Sequence, residues 1–244
     1  MNIDVSCICL THGRPWLLAE AVESFRRQRL DGLTAELLII NDCAEQTLAC
    51  DVPGVVVENL PEQVTDNSIK TNRALMLARG RLACFWDDDD ISLPGRIADG
   101  VARIGNALGY RAARYWSWSR GVITSIGVPL LCNGMFDREW VLRCGGATAG
   151  EWNDKSIWGH LWPTGNVVQY EPRLEEIAYI YRWAGVGYHD SGTNDGNPER
   201  RSVAFHAAAV SDPRFKAGAV QVIPGWQMDY TKQARDAAQR KVGA

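Results

Sequence analysis

Three apolar runs in the first part of the chain each end on a polar tip. Residues 5–10 lead into Thr11 and His12, residues 37–40 into Asn41 and Asp42, and residues 82–86 into Asp87, Asp88, Asp89 and Asp90. Runs this apolar, without polar alternation, read as strands buried on both faces. A shorter run at 55–57 reads as a further strand. Between the strands lie segments with helical spacing. Leu17, Leu18, Ala21, Val22 and Phe25 line one face of residues 16–29, and Ala74, Leu75 and Ala78 line one face of residues 67–79, with Gly80 in the position that ends a helix. Strands alternating with helices build βαβ units and a mostly parallel sheet. Such sheets bind ligands beyond the carboxyl ends of their strands, so the three polar tips can line one crevice.

At 244 residues and 46% apolar content, the chain can bury a sizeable core, and a single compact domain is expected over 1–244. It divides into a ligand-binding half at 1–110, a less regular half at 111–198 and an extension at 199–244. The irregular half suggests a strand pair at 111–118 and 121–126, a short helix at 138–142, a helix at 153–161, and strands at 167–170 and 177–183. A loop rich in Gly, Asn, Asp and Ser follows at 185–198, and a last helix at 230–241. A net charge of −3 gives no broad attraction to nucleic acid or anionic membrane. No run approaches the ~20 apolar residues that cross a bilayer, and the start lacks a basic-then-apolar leader, so a cytoplasmic protein without membrane insertion is expected. The seven cysteines are odd in number and lie mostly in strand-like segments, which reads as reduced core packing. Cys7 and Cys9 share a strand face, and no zinc site is expected.

The four adjacent carboxylates of 87–90 repel one another, and holding them at a strand tip calls for a compensating cation. If the segment is extended, Asp87 and Asp89 point together while Asp88 points elsewhere. Their hard oxygens suit Mg²⁺ or Mn²⁺. The plainer reading is a solvated loop in which Asp90 or Ser92 caps a helix begun by Pro94.

In order and spacing, four segments resemble family 2 glycosyltransferases of the GT-A fold: 5–15, 37–42, 67–72 and 85–94, with 145–161 resembling the acceptor side of that family. The resemblance spans residues 3–183. It implies a Rossmann-related mixed sheet, mostly parallel and flanked by helices, that binds a nucleotide-sugar donor, most often a uridine diphosphate (UDP) sugar. Thr11, His12, Arg14 and Asp42 match base and ribose positions, with His12 standing where the family usually has tyrosine. Asn67, Lys70 and Asn72 match the helix entry beside the diphosphate, although Thr71 stands where arginine is common. Asp87 and Asp89 match the DXD motif, Asp88 lies between them, and Arg182 matches a residue that approaches the diphosphate. The resemblance gives a metal set of Asp87, Asp89 and His189 for Mn²⁺ or Mg²⁺. It also gives Asp154 as the general base of an inverting transfer, with Glu151 as rival and Asn153 standing where the family has glutamate.

The activity implied is metal-dependent inverting transfer of a sugar from a nucleotide sugar to an acceptor hydroxyl. The alternatives are a nucleotide-sugar-binding module without catalysis and a nucleotidyltransferase. The acceptor is open among a saccharide, a modified nucleobase and a protein side chain. The donor sugar and oligomeric state are not legible.

Overall fold

The computed structural model describes residues 2–119, 122–127, 130, 132–151, 153–182 and 198–242. Its centre is a seven-stranded sheet in the order β11-β7-β10-β5-β1-β2-β4. The strands are β1 (Val5–Thr11), β2 (Ala35–Asn41), β4 (Val55–Asn59), β5 (Leu82–Phe85), β7 (Gly109–Ala112), β10 (Gly134–Asp137) and β11 (Val167–Tyr170). All neighbours are parallel except β10, which runs antiparallel to β5 and β7. A four-stranded sheet joins β6 (Ile91–Ser92), β12 (Tyr179–Arg182), β8 (Tyr115–Ser119) and β9 (Val122–Ile126). A two-stranded sheet pairs β3 (Gln46–Ala49) with β13 (Gly218–Gln221), far apart in sequence.

Successive residues of β1 serve opposite faces, as the pleat requires. Cys7 and Cys9 pack with Leu18, Ala21, Val22 and Phe25 of α1 (Pro15–Arg26) and with Ile97 of α3 (Arg96–Ile104). Ile8 faces the other way, onto Ala74 and Leu75 of α2 (Asn67–Leu77) and Ile157, Trp158 and Leu161 of α5 (Asn153–Leu161). Val141 of α4 (Arg138–Arg143) joins that second cluster. Each such fully buried large side chain contributes about 1.5–3 kcal/mol. A third cluster packs Ile91, Trp116, Ile123 and Ile180 of the four-stranded sheet against Tyr230, Ala234, Ala237 and Ala238 of α7 (Tyr230–Val242). The remaining helix, α6 (Pro198–Ser211), lies beside the start of α1, where a Cβ on Gly13 would meet the Ala209 methyl at 2.9 Å.

Pro15 begins α1, and Asp66 caps α2 by accepting from the Ser68 N–H at 2.8 Å. The expected cap beside Pro94 is corrected: α3 begins at Arg96 after Gly95, and Ser92 instead accepts from the Arg96 guanidinium at 2.6 Å. The expected strand at 111–118 divides in two, β7 joining the central sheet and β8 pairing with β9 in the other. The order of the central sheet reverses between β1 and β5, so the crevice beyond their carboxyl ends is the ligand position of an open α/β sheet.

Candidate active site

The tips of β1, β2 and β5 meet, as their parallel register demands, with Thr11 beside Asn41 and Ile8 beside Phe85. Asp42 is buried just past β2. One of its oxygens receives the Lys70 ammonium at 3.0 Å and lies 2.9 Å from Nδ1 of His12, and the other accepts from the Val64 N–H at 3.1 Å. Burial pushes the Asp42 carboxyl up, but the His12 hydrogen bond and the Lys70 charge outweigh it and hold the group below its ordinary value. Thr11 donates to Asp88 at 2.6 Å, and the buried Arg14 guanidinium binds Asp88 and, at 3.3 Å, Asp89. Asn67 opens α2 next to this group. Asn72 is turned toward the α4–α5 connection and hydrogen-bonds the backbone of Ala147. Thr71 is buried, and its hydroxyl has no hydrogen-bond partner among the described residues.

The aspartate run is a turn, and the extended alternation expected of it is therefore corrected. Asp88 and Asp89 share Arg14, while Asp87 and Asp90 share the hydroxyl of Tyr179. That hydroxyl has one proton to donate. It lies 2.9 Å from Asp87 and also against Asp90, so two ionised carboxylates cannot both be satisfied by it. The Tyr179 hydroxyl donates to one of the two at a time. Burial, and then the charges of Asp89 and Asp87, push the Asp90 carboxyl well above the ordinary range. Asp88 is also raised, by burial first, with Arg14 working against it.

Arg182 supports the run from behind. Its backbone N–H donates to Asp90 at 2.7 Å, and its guanidinium binds the Asp89 carbonyl, the Glu20 carboxylate and, at 3.1 Å, the Tyr230 hydroxyl. Asp154 falls in the first turn of α5, with its side chain outside the described residues, and His189 and Trp183 lie wholly outside them. Glu151 is exposed. The sequence reading missed Tyr179, Glu20 and the α6 pair Phe205 and His206. Phe205 covers the Arg14 guanidinium at 4.9 Å from its ring centre, and His206 Nδ1 lies 3.0 Å from His12 Nε2. None of these carries a spacing signal, because each reaches the site from a remote element.

Part of the sequence, and the fold as a whole, are similar to known proteins. Residues 6–119 match the family model described as Glycosyl transferase family 2, a segment that runs from β1 through the aspartate run to β8. The fold of the chain is that of the GT-A glycosyltransferases. No curated protein matches the chain in sequence. Its fold is similar to that of S. aureus TarS 1–349 in complex with UDP-GlcNAc, at 13% identity and a TM-score of 0.63, covering 88% of this chain and 68% of that one. The same S. aureus fragment in complex with UDP gives 12% identity and a TM-score of 0.57, covering 88% and 67%. The mannosyltransferase PcManGT from Pyrobaculum calidifontis, in complex with GDP-Man and Mn²⁺, gives 15% identity and a TM-score of 0.57, covering 88% and 66%. Among the described residues, no helix of the chain is long and apolar enough to cross a membrane.

Proposed function

We propose that the protein is a metal-dependent, inverting glycosyltransferase that moves a sugar from a nucleotide sugar, a UDP-sugar in the first instance, to an acceptor hydroxyl. One observation carries this reading: Thr11, Arg14, Asp42, Lys70 and the aspartate run converge beyond the carboxyl ends of β1, β2 and β5. The solved structures of similar fold that hold UDP-GlcNAc, or GDP-Man with Mn²⁺, support it.

The residues fit a hard divalent cation. Four carboxylates crowd one turn whose nearest guanidinium, Arg14, is engaged by Asp88 and Asp89, while Arg182 is matched by Glu20. Carboxylate oxygens are the ligands Mg²⁺ and Mn²⁺ prefer. Asp87 and Asp89 would hold the ion, with His189 as a third ligand. When bound, it neutralises charge that develops on the departing diphosphate. Lys70, with its ammonium on Asp42, supports the base end of the site and not the diphosphate. Asp42 receives a base N–H, its ionised form being maintained by the neighbours described above, and His12 and Arg14 flank the base. Asp154 takes the proton of the attacking acceptor hydroxyl. The mobile proton leaves the acceptor oxygen as its bond to the anomeric carbon forms and the sugar-phosphate bond breaks.

The test is nucleotide release from a panel of UDP- and GDP-sugars with Mn²⁺ or Mg²⁺, with product mass spectrometry across saccharide, nucleobase and peptide acceptors. Asp89→Ala should abolish metal-stimulated turnover, and Asp154→Asn should lower kcat by about 10²–10⁴-fold. Full activity in both variants overturns the assignment of roles. Saturable UDP binding in calorimetry, without turnover on any acceptor, returns the chain to a binding module.

A further inference from the structure

A second cluster of metal-ligating atoms lies at the tip of β1, away from the aspartate turn. His12, Cys43 and His206 each offer one ligand atom within 4.8 Å of the other two, and Nε2 of His12 lies 3.0 Å from Nδ1 of His206. His12 and Cys43 are buried, at 2% and 0% exposure, and the His206 side chain is 29% exposed.

The partners of the two imidazoles decide which atoms carry hydrogen. The Asp42 carboxylate lies 2.9 Å from Nδ1 of His12, so that nitrogen carries the proton and Nε2 presents a lone pair. Glu45 lies 3.5 Å from Nε2 of His206. Nδ1 of His206 donates its hydrogen to the Nε2 lone pair of His12 at 3.0 Å. A divalent cation that displaces this one proton would be bound by both nitrogens. Two nitrogens bound to one tetrahedral zinc at about 2.0–2.1 Å are themselves about 3.3–3.4 Å apart, so the observed spacing needs to open by only a few tenths of an ångström. Each imidazole also has a carboxylate on its far nitrogen, the arrangement that orients histidine ligands of zinc and raises their basicity. The Cys43 thiol, which donates to Glu45 at 3.4 Å and is pushed up to about 12 by burial and then by that bond, completes a three-ligand set of the His₂Cys type and would give up its proton to solvent only on binding the cation, leaving a fourth position for water.

We propose that His12, Cys43 and His206 form a zinc-type site that fastens α6 to the nucleotide end of the central sheet. The site stands on its own geometry and does not depend on the glycosyl-transfer mechanism. Where that mechanism also holds, metal and nucleotide base compete for His12. Zinc would then keep α6, with Phe205 over Arg14, seated across the base position.

Cobalt(II) titration of the full chain, freed of metal with a chelator, tests this without reference to activity. One Co²⁺ per chain should bind with the visible bands of a tetrahedral ion and a thiolate-to-cobalt charge-transfer band, which an ion held by the oxygens of the aspartate turn would lack, and Zn²⁺ should displace it. Cys43→Ser should remove the charge-transfer band. His206→Gln, on the partly exposed face of a helix and so compatible with folding, should weaken Zn²⁺ binding by more than about 100-fold in competition with a chromophoric chelator. Asp89→Ala should leave both readouts unchanged. The proposal is overturned if wild type shows no charge-transfer band, if His206→Gln binds zinc as wild type does, or if Asp89→Ala removes the signal. Failure of nucleotide-sugar turnover leaves these spectra untouched, so the two readings fail separately.

Discussion

The side-chain amide of Asn72 in α2 clasps the backbone of Ala147 from both sides, donating to its carbonyl at 2.9 Å and accepting from its N–H at 2.7 Å. The clasp ties the donor-side helix to the connection that leads into α5, where the proposed base Asp154 sits. Gly146, at φ +75°, makes room for it, since a Cβ there would lie 2.2 Å from the Asn72 side-chain oxygen. Asn72→Asp keeps the acceptor and loses the donor, leaving the Ala147 carbonyl unpaired. We expect a loss of about 1–3 kcal/mol in urea unfolding. If the connection positions the acceptor side, the acceptor KM should rise more than the donor KM.

Asp90 gives a pH prediction. Its carboxyl is raised in the folded protein by burial and neighbouring charge, so the native state binds its proton more tightly than the unfolded chain does. That advantage is complete below the ordinary aspartate value of about 4 and is lost as pH rises through the raised value. Asp90→Asn imitates the protonated form and carries no such penalty. Relative to wild type, it should gain stability steadily as pH increases from 4 and should show no gain below that. Chemical denaturation across pH, with chelator present, reads the difference, and a pH-independent difference contradicts a raised Asp90 carboxyl.

Arg182 and Glu20 are both almost wholly buried. Removing one charge of such a pair strands the other, at a cost of about 3–5 kcal/mol. Glu20→Leu should therefore destabilise strongly. Arg182→Lys should also be costly, because a single ammonium cannot reach Glu20, Tyr230 and the Asp89 carbonyl together as the planar guanidinium does. Thermal melts of both variants should fall well below wild type.

Two glycines packed around α5 should respond in opposite directions. Gly134 in β10 lies beneath Trp158, and a Cβ there would come within 2.5 Å of the indole and 2.7 Å of the Tyr110 carbonyl. Gly134→Ala must displace backbone as well as side chain and should destabilise by several kcal/mol or prevent folding. Gly159 lies within α5 with open space at its Cβ position, so Gly159→Ala should stabilise by about 0.5–1 kcal/mol.

The elements legible in the sequence were those whose burial is two-faced or helically periodic. β1, β2, β5 and β11, together with α1, α2, α5 and α7, fall within a few residues of their expected bounds. Each carries its own signal, because the core it faces covers its whole length. β3, β10 and β13 were not legible. They are four residues each, and their pairing depends on partners far away in the chain. β10 in particular is recognisable only once Trp158 is seen to require a glycine opposite it. The aspartate run was located correctly as a strand tip, but its pairing was misread, because periodicity two applies to extended backbone and this segment turns. Arg182 was expected near the diphosphate from the family resemblance. Its burial against Glu20 becomes visible only when α1 and β12 are brought together. Lys70 was likewise expected at the diphosphate, and its pairing with Asp42 becomes visible only when α2 is packed against the sheet.

The pairing of β3 with β13 and the hydrogen bond from Tyr230 to Glu20 set an order of events during synthesis. Glu20 and Tyr230 are 210 residues apart. At ribosomal rates of roughly 5–20 residues per second, the earlier residue waits about 10–40 s for its partner. Through that interval Glu20 and the edge of β3 stand open to solvent, to chaperones and to neighbouring nascent chains. The central sheet can assemble early, yet it is sealed only by its latest-made strand and helix. Slowing translation near residue 230 should therefore lower the soluble yield of this protein more than slowing it near residue 120.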